Sequence, residues 1–254
     1  MTSHLIHYVI LGAIRDRLLV SLCAAMVVCI SLSLFLGSAA IIEQKQFMLV
    51  FASGALRMAV ALGLVLFVVF FIRRSFETKD IEFLLSRPIS RLGLILSYSA
   101  AFTLMAVLFG LIVGISVCVL SGSMIGAGHF LWILSICAEF VIVVNVAFFF
   151  SMVLSSAASG SMATIGFYIL ARMMGQLLGV IDANIVTGTN VKLLEQTFEG
   201  LSIFFPRLDL YGQTSWLLYG SDGSIGAGFI FLQTFIFTAL VLAASYIDLK
   251  RRQF

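Results

Sequence analysis

Six continuous apolar runs dominate the chain: Leu18–Ala40, Phe47–Ile72, Leu92–Leu120, Phe130–Leu154, Met162–Ile181 and Ile225–Ile247. Each is near or above the roughly 20 residues that a bilayer span requires. Strands of a membrane barrel would alternate apolar and polar positions over about ten residues, so unbroken runs of this length predict helices. The pattern predicts an all-α integral membrane protein with six transmembrane helices, organised as one domain over 1–254 with no internal repeat. Ahead of the first run, Leu5, Ile6, Val9, Ile10 and Ile14 recur at roughly helical spacing, and charge gathers at Arg15-Asp16-Arg17. That predicts an interfacial helix within residues 1–17, lying along the membrane surface.

Most connections are short. Glu43–Gln46, the Gly- and Ser-rich Ser121–His129 and the uncharged Ser155–Ser161 all predict plain turns. The segment 182–224 has a pattern of its own. Val191, Leu194, Phe198, Leu201 and Phe205 fall at steps of three and four, with Lys192, Glu195, Gln196 and Glu199 on the other face. This predicts an amphipathic helix with Asn190 at its N-cap and Pro206 at its end. A second short helix is expected over Thr214–Tyr219, stopped by Gly220.

Composition agrees with the pattern. Of 254 residues 61% are apolar and 11% charged, whereas soluble domains carry about a quarter charged. Charge placement says more than the net value. With a cytoplasmic N-terminus, that face holds Arg15, Arg17, Arg73, Arg74, Lys79, Arg87, Arg91, Lys250, Arg251 and Arg252; the opposite face holds Lys45, Lys192 and Arg207. The positive-inside rule then orients the chain with both termini cytoplasmic. The expected location is the cell's inner (plasma) membrane. Trp132 and Trp216 fall at the outer side as anchors, with Tyr98 and Tyr246 near the inner one. Cys23, Cys29, Cys118 and Cys137 lie inside the predicted spans and read as packing residues. The first run is longer than a signal-peptide core and is followed by further spans, which predicts a retained helix.

The second and third runs enclose a charged island over 73–91, with five of the fifteen Lys and Arg residues. Thr78 can cap a short helix over Lys79–Ser86, where Asp80 and Glu82 suit the positive end of its dipole. Ile81, Leu84 and Leu85 form an apolar face, and Pro88 holds Arg87 outside helical geometry. A solvated loop that only orients the chain would be just as basic.

The phrase Glu77-Thr-Lys-Asp-Ile-Glu-Phe-Leu-Leu-Ser-Arg-Pro-Ile-Ser-Arg91 resembles the signature of ABC-2 type transporter permeases, the membrane subunits of ATP-driven exporters. Glu77, Glu82, Leu84, Leu85, Pro88, Ser90 and Arg91 match it; Lys79-Asp80 stands where many members carry Gly-Thr. The amphipathic N-terminal segment, the six runs, the long fifth connection with Phe205-Pro206-Arg207-Leu208-Asp209 and the basic tail Lys250–Phe254 also fit. The resemblance implies a coupling helix that docks on a separate ATPase subunit, with Lys79, Glu82 and Arg87 in contact. It also implies a second permease, either another copy or a paralogue. None of the four lysines follows a glycine, so the chain has no P-loop. ATP and Mg are therefore expected in the partner, with no cofactor and no catalysis in this chain.

Small residues mark two helix faces: Ala171, Gly175 and Gly179 in the fifth run, and Gly110 and Gly114 in the third. They permit close helix approach, within the chain or between two copies. Arg57, Glu139, Asn145 and Arg172 are polar residues inside predicted spans, where a charge costs about 2.5–3.5 kcal/mol. Arg57 can snorkel toward the outer surface. Glu139 and Asn145 are offset by about 120° and do not share a face, whereas Arg172 and Gln176 do. Pairing of Glu139 with Arg172 or Arg57 ranks above substrate contact.

A secondary transporter or channel that uses Glu139, Arg57 and Arg172 is the alternative function; the chain shows neither repeated halves nor paired broken helices. An intramembrane protease would need a buried Ser–His dyad or an HExxH motif. His4, His7 and His129 all fall near interfaces, and no such motif exists. Membrane lipids are expected neighbours, and nothing suggests nucleic-acid binding.

Overall fold

An apolar chain in a bilayer can satisfy its backbone only by coiling or by closing a barrel, and each of the six runs forms a helix to within a few residues. The computed structural model describes residues 6–7, 9–12, 17–39, 41, 43–78, 90–122, 125–182, 205–221, 223 and 225–251. The elements are α1 (Arg17–Ala39), α2 (Gln44–Glu77), α3 (Arg91–Ser121), α4 (Ala127–Val153), α5 (Ala157–Asp182), α6 (Ser215–Leu218) and α7 (Ala227–Arg251), with a 3-10 turn at Leu208–Leu210 before α6. Among the described residues, five helices (α1, α2, α3, α4 and α7) are long and apolar enough to cross a membrane. The chain is a multi-pass, all-helical membrane protein. Residues 79–89, with most of the charged island, and 183–204, with the predicted amphipathic helix, lie outside the described residues.

Polar side chains inside the helices are accommodated locally. Ser33, Ser97, Ser116, Ser121, Thr164 and Ser245 each donate to the carbonyl four residues earlier, at 2.7–2.9 Å, so these six hydroxyl protons are satisfied within their own helices. Helix starts follow local chemistry too. Ser90 is extended (φ −68°, ψ 142°) and its Oγ accepts from the Gly93 N–H at 3.1 Å, which caps α3. The Ser121–His129 turn reverses at Gly122, whose φ of +58° suits glycine.

α4 is the central helix: 72% of its most apolar stretch is buried, against 6% for α7. α1 and α7 pack at the periphery and expose rows of Val, Leu and Phe, among them Val27, Val28, Phe35, Phe231 and Phe235. Gly110 and Gly114 bring α3 onto α4. A Cβ at Gly110 would lie 2.7 Å from Cys137 Sγ and 3.0 Å from its Cα, and one at Gly114 would meet Ile133. That small-residue pair is therefore used within the chain. Gly110→Ala is expected to cost about 1–2 kcal/mol, because the sulfur can swing away but the Cα cannot; thermal unfolding in detergent measures it. Phe67, Phe102 and Phe148 pack α2, α3 and α4 together, with Phe67 edge-on to Phe102 at 6.2 Å and Tyr98 stacked on Phe148 at 6.2 Å.

One end of the bundle gathers Arg17, Arg73, Arg74, Arg91, Lys250 and Arg251 and is termed the basic end. Residues 6–7 and 9–12 are helical. Val9 is fully buried and Gly12 abuts the Phe71 ring, so this segment packs onto α2. Trp132 and Trp216 depart from expectation. They are fully buried packing residues rather than exposed anchors: Trp132 lies on the central helix α4, and Trp216 lies in the segment 205–221 that packs against it. Tyr98 is likewise buried, and Tyr246 half-buried.

Candidate functional site: a charge-clamped segment

The segment 205–221 is mostly non-helical, yet Leu208, Tyr211, Trp216 and Leu217 are fully buried. Buried irregular backbone leaves carbonyls that no helix ladder satisfies, so other parts of the protein must supply the donors. Two arginines supply them. Arg172 Nη1, from α5, donates to Leu208 O at 2.5 Å and to Tyr211 O at 2.8 Å. Arg57 Nη1, from α2, donates to Gly212 O at 2.8 Å.

Both cations surround Glu139 of α4, which is fully buried. Its Oε2 lies 3.4 Å from Arg172 Nη1, and its Oε1 lies 4.0 Å from Arg57 Nε and accepts from Tyr168 Oη at 2.7 Å. Tyr168 and Arg172 are one turn apart on α5, so that helix offers the carboxylate a hydroxyl and a cation from one face. The arrangement joins both pairs expected for Glu139. Arg57 does not snorkel to the surface: it turns inward, because the segment brings it a carbonyl.

Further contacts fix the segment in register. Gly212 has φ +56°, and a Cβ there would fall 2.7 Å from Ile136 Cδ1 and 2.8 Å from Arg57 Nη1; only glycine lets the arginine reach the carbonyl. The Gly212 N–H donates to Ser135 Oγ at 2.9 Å. Tyr211 Oη donates to Ile230 O at 3.1 Å and lies 3.1 Å from Thr234 Oγ1, both on α7. Burial pushes its phenol up to about 12. Arg207 holds Asp209 through two parallel bonds, Nε to Oδ1 at 3.0 Å and Nη2 to Oδ2 at 2.9 Å, and those bonds raise the arginine's own pKa. Gly175 of α5 makes room for that carboxylate, and the Trp216 carbonyl presses onto Gly128 of α4. The short helix Ser215–Leu218 and Gly220, at φ +82°, follow the sequence expectation closely.

The remaining candidates fall in other places. Asn145 faces α3, where its Oδ1 accepts from Ser99 Oγ at 2.5 Å and its Nδ2 donates to Thr103 Oγ1 at 3.1 Å. Ala171 is buried, and nothing lies within 4 Å of a Cβ at Gly179. Glu77 is exposed at the end of α2. Lys79, Asp80, Glu82, Leu84, Leu85, Arg87 and Pro88 lie outside the described residues. Arg91, the first residue of α3, donates through Nη1 to Leu249 O at 2.9 Å and Lys250 O at 3.2 Å, at the end of α7. Arg73 does the same for the α4–α5 turn, donating to Leu154 O at 3.1 Å and to Ser155 O.

Sequence reasoning missed Tyr168, Ser135, Gly212 and Gly128. Tyr168 carried a signal, its position four residues before Arg172; the others depend on where the distant segment docks. Comparison with known proteins brings no match: no family model fits the chain, and no curated protein matches it.

Proposed function

We propose that this chain is the membrane-spanning permease subunit of an ABC-2 type transporter, coupled to a separate ATPase. In this reading α5 is a sixth span, the basic end is cytoplasmic and the chain resides in the plasma membrane. The observation that carries it is the phrase Glu77–Arg91 between α2 and α3, on the basic end, with Ser90 capping the helix that follows. A charged segment at that place is suited to receive a soluble partner. The chain has no P-loop of its own, so the partner would bind ATP and Mg. A second permease, as a copy or a paralogue, would complete the pathway.

The groups a secondary transporter would need are engaged elsewhere: Glu139, Arg57 and Arg172 are taken up by one another and by three backbone carbonyls. Copurification of the full chain with a P-loop ATPase is the first expected result. Charge reversal at Lys79, Glu82 and Arg87 is then expected to weaken that association tenfold or more, about 1.4 kcal/mol or above, because like charges placed together across an interface repel. Unchanged assembly and unchanged coupled ATPase activity in the reversed variants would reject the contact.

A further inference from the structure

The two arginines at the edges of the charged island do more than mark the basic end. The last carbonyls of a helix have no intrahelical partner, and a guanidinium both fills them and complements the negative end of the dipole. Arg73 sits on the last turns of α2 and holds Leu154 O and Ser155 O, where α4 ends and α5 is about to begin. Arg91 opens α3 and holds Leu249 O and Lys250 O, where α7 ends. In sequence, these carbonyls are 81 and 158 residues away from the arginines that bind them.

The helices gripped in this way are the ones that hold the segment 205–221 at the far end. α4 contributes Glu139 and Ser135, α5 contributes Tyr168 and Arg172, and α7 contributes Ile230 and Thr234. α2, which carries Arg73, also carries Arg57. From Leu154 up to Glu139, and from Leu249 up to Thr234, the helical rise spans about 22 Å. A helix transmits displacement along its axis provided its end is tied. Here each tie is a guanidinium, whose planar fork fixes direction as a lysine ammonium does not.

We infer that Arg73 and Arg91 are positioning residues for the clamp: their ties hold the basic ends of α4, α5 and α7 in place, and loss of either tie loosens the segment 205–221. The inference does not depend on the permease reading, and its test stands apart from it.

The test uses the full-length chain in liposomes, with the four native cysteines replaced by alanine and one reporter, Leu217→Cys, buried in α6. A membrane-impermeant maleimide reads its exposure. Arg73→Gln and Arg91→Gln are each expected to raise the labelling rate about tenfold, within the usual range of coupling between sites, and the corresponding lysine variants less. A second reporter, Leu49→Cys, is buried in α2 at the far end, outside the clamp, and is expected to stay protected. Labelling of Leu217→Cys within twofold of the parent in both glutamine variants overturns the inference. Equal gains at both reporters also overturn it, since they mark general loosening. The ABC-2 reading fails by a separate result, the absence of any ATPase copurifying with the parent chain.

Discussion

Replacing Glu139 with leucine is expected to cost about 3–5 kcal/mol of stability, enough to abolish the folded protein in mild detergent. Leucine matches the volume but strips Arg57 and Arg172 of their shared counter-ion, and removing one partner of a buried charge set leaves the others uncompensated. The side chains of Arg57 and Arg172 are 12% and 21% exposed, so water screens them little. Glu139→Gln keeps an acceptor for Tyr168 Oη and is expected to be milder. The combination of Glu139→Leu with Arg172→Met removes a charge of each sign, but it also leaves Leu208 O and Tyr211 O without donors. Its recovery is therefore expected to be partial. Thermal unfolding of the four proteins in one detergent checks the order: parent, Glu139→Gln, the double variant, Glu139→Leu.

Gly128→Val is expected to undock α6 at a cost of about 3 kcal/mol, the upper end of the usual penalty for overpacking. Most crowded substitutions find relief when a side chain rotates. Here the opposing atom is the Trp216 carbonyl oxygen, part of the backbone, and the Gly220 Cα also lies only 3.1 Å from a Cβ added at Gly128. The segment must move as a whole, and it takes the buried Trp216 indole with it. A red shift of tryptophan emission, together with a lower unfolding temperature, is the expected signature. Gly128→Ala should give the same signature, reduced. An unshifted emission in the valine variant would mean that the segment tolerates displacement at this point.

Much of the helical framework was legible in the order of residues, because bilayer-length apolar runs leave the backbone few alternatives. The six runs and the six long helices agree within a few residues at their ends. The short helix before Gly220 was legible for the same reason, a local stop signal. The role of Arg57 was not. Its position near one end of a span suggests escape to the surface, and only the docking of Gly212, 155 residues later, turns it inward. Trp132 and Trp216 misled in a related way: composition places tryptophan at interfaces, but the packing of the segment 205–221, which carries Trp216, against α4 leaves both side chains buried. Glu139 was legible as half of a pair. That it serves two cations at once depends on the approach of α2 and α5 to α4, which no local spacing encodes.

The dependence of Arg57 on Gly212 also bears on how the protein is made. A ribosome delivers α2 to the bilayer long before it has synthesised the segment that satisfies this arginine. Until α4 arrives with Glu139, Arg57 is a lone cation on an apolar helix, a state that costs at most about 2.5–3.5 kcal/mol, the insertion cost at a helix centre. Arg172 enters next and must wait in turn for Leu208 and Tyr211. Assembly of this end is thus late, completed only after the segment 205–221 has been synthesised. A chain halted before residue 205 would hold two arginines around one carboxylate without the three backbone carbonyls that they fill in the finished protein.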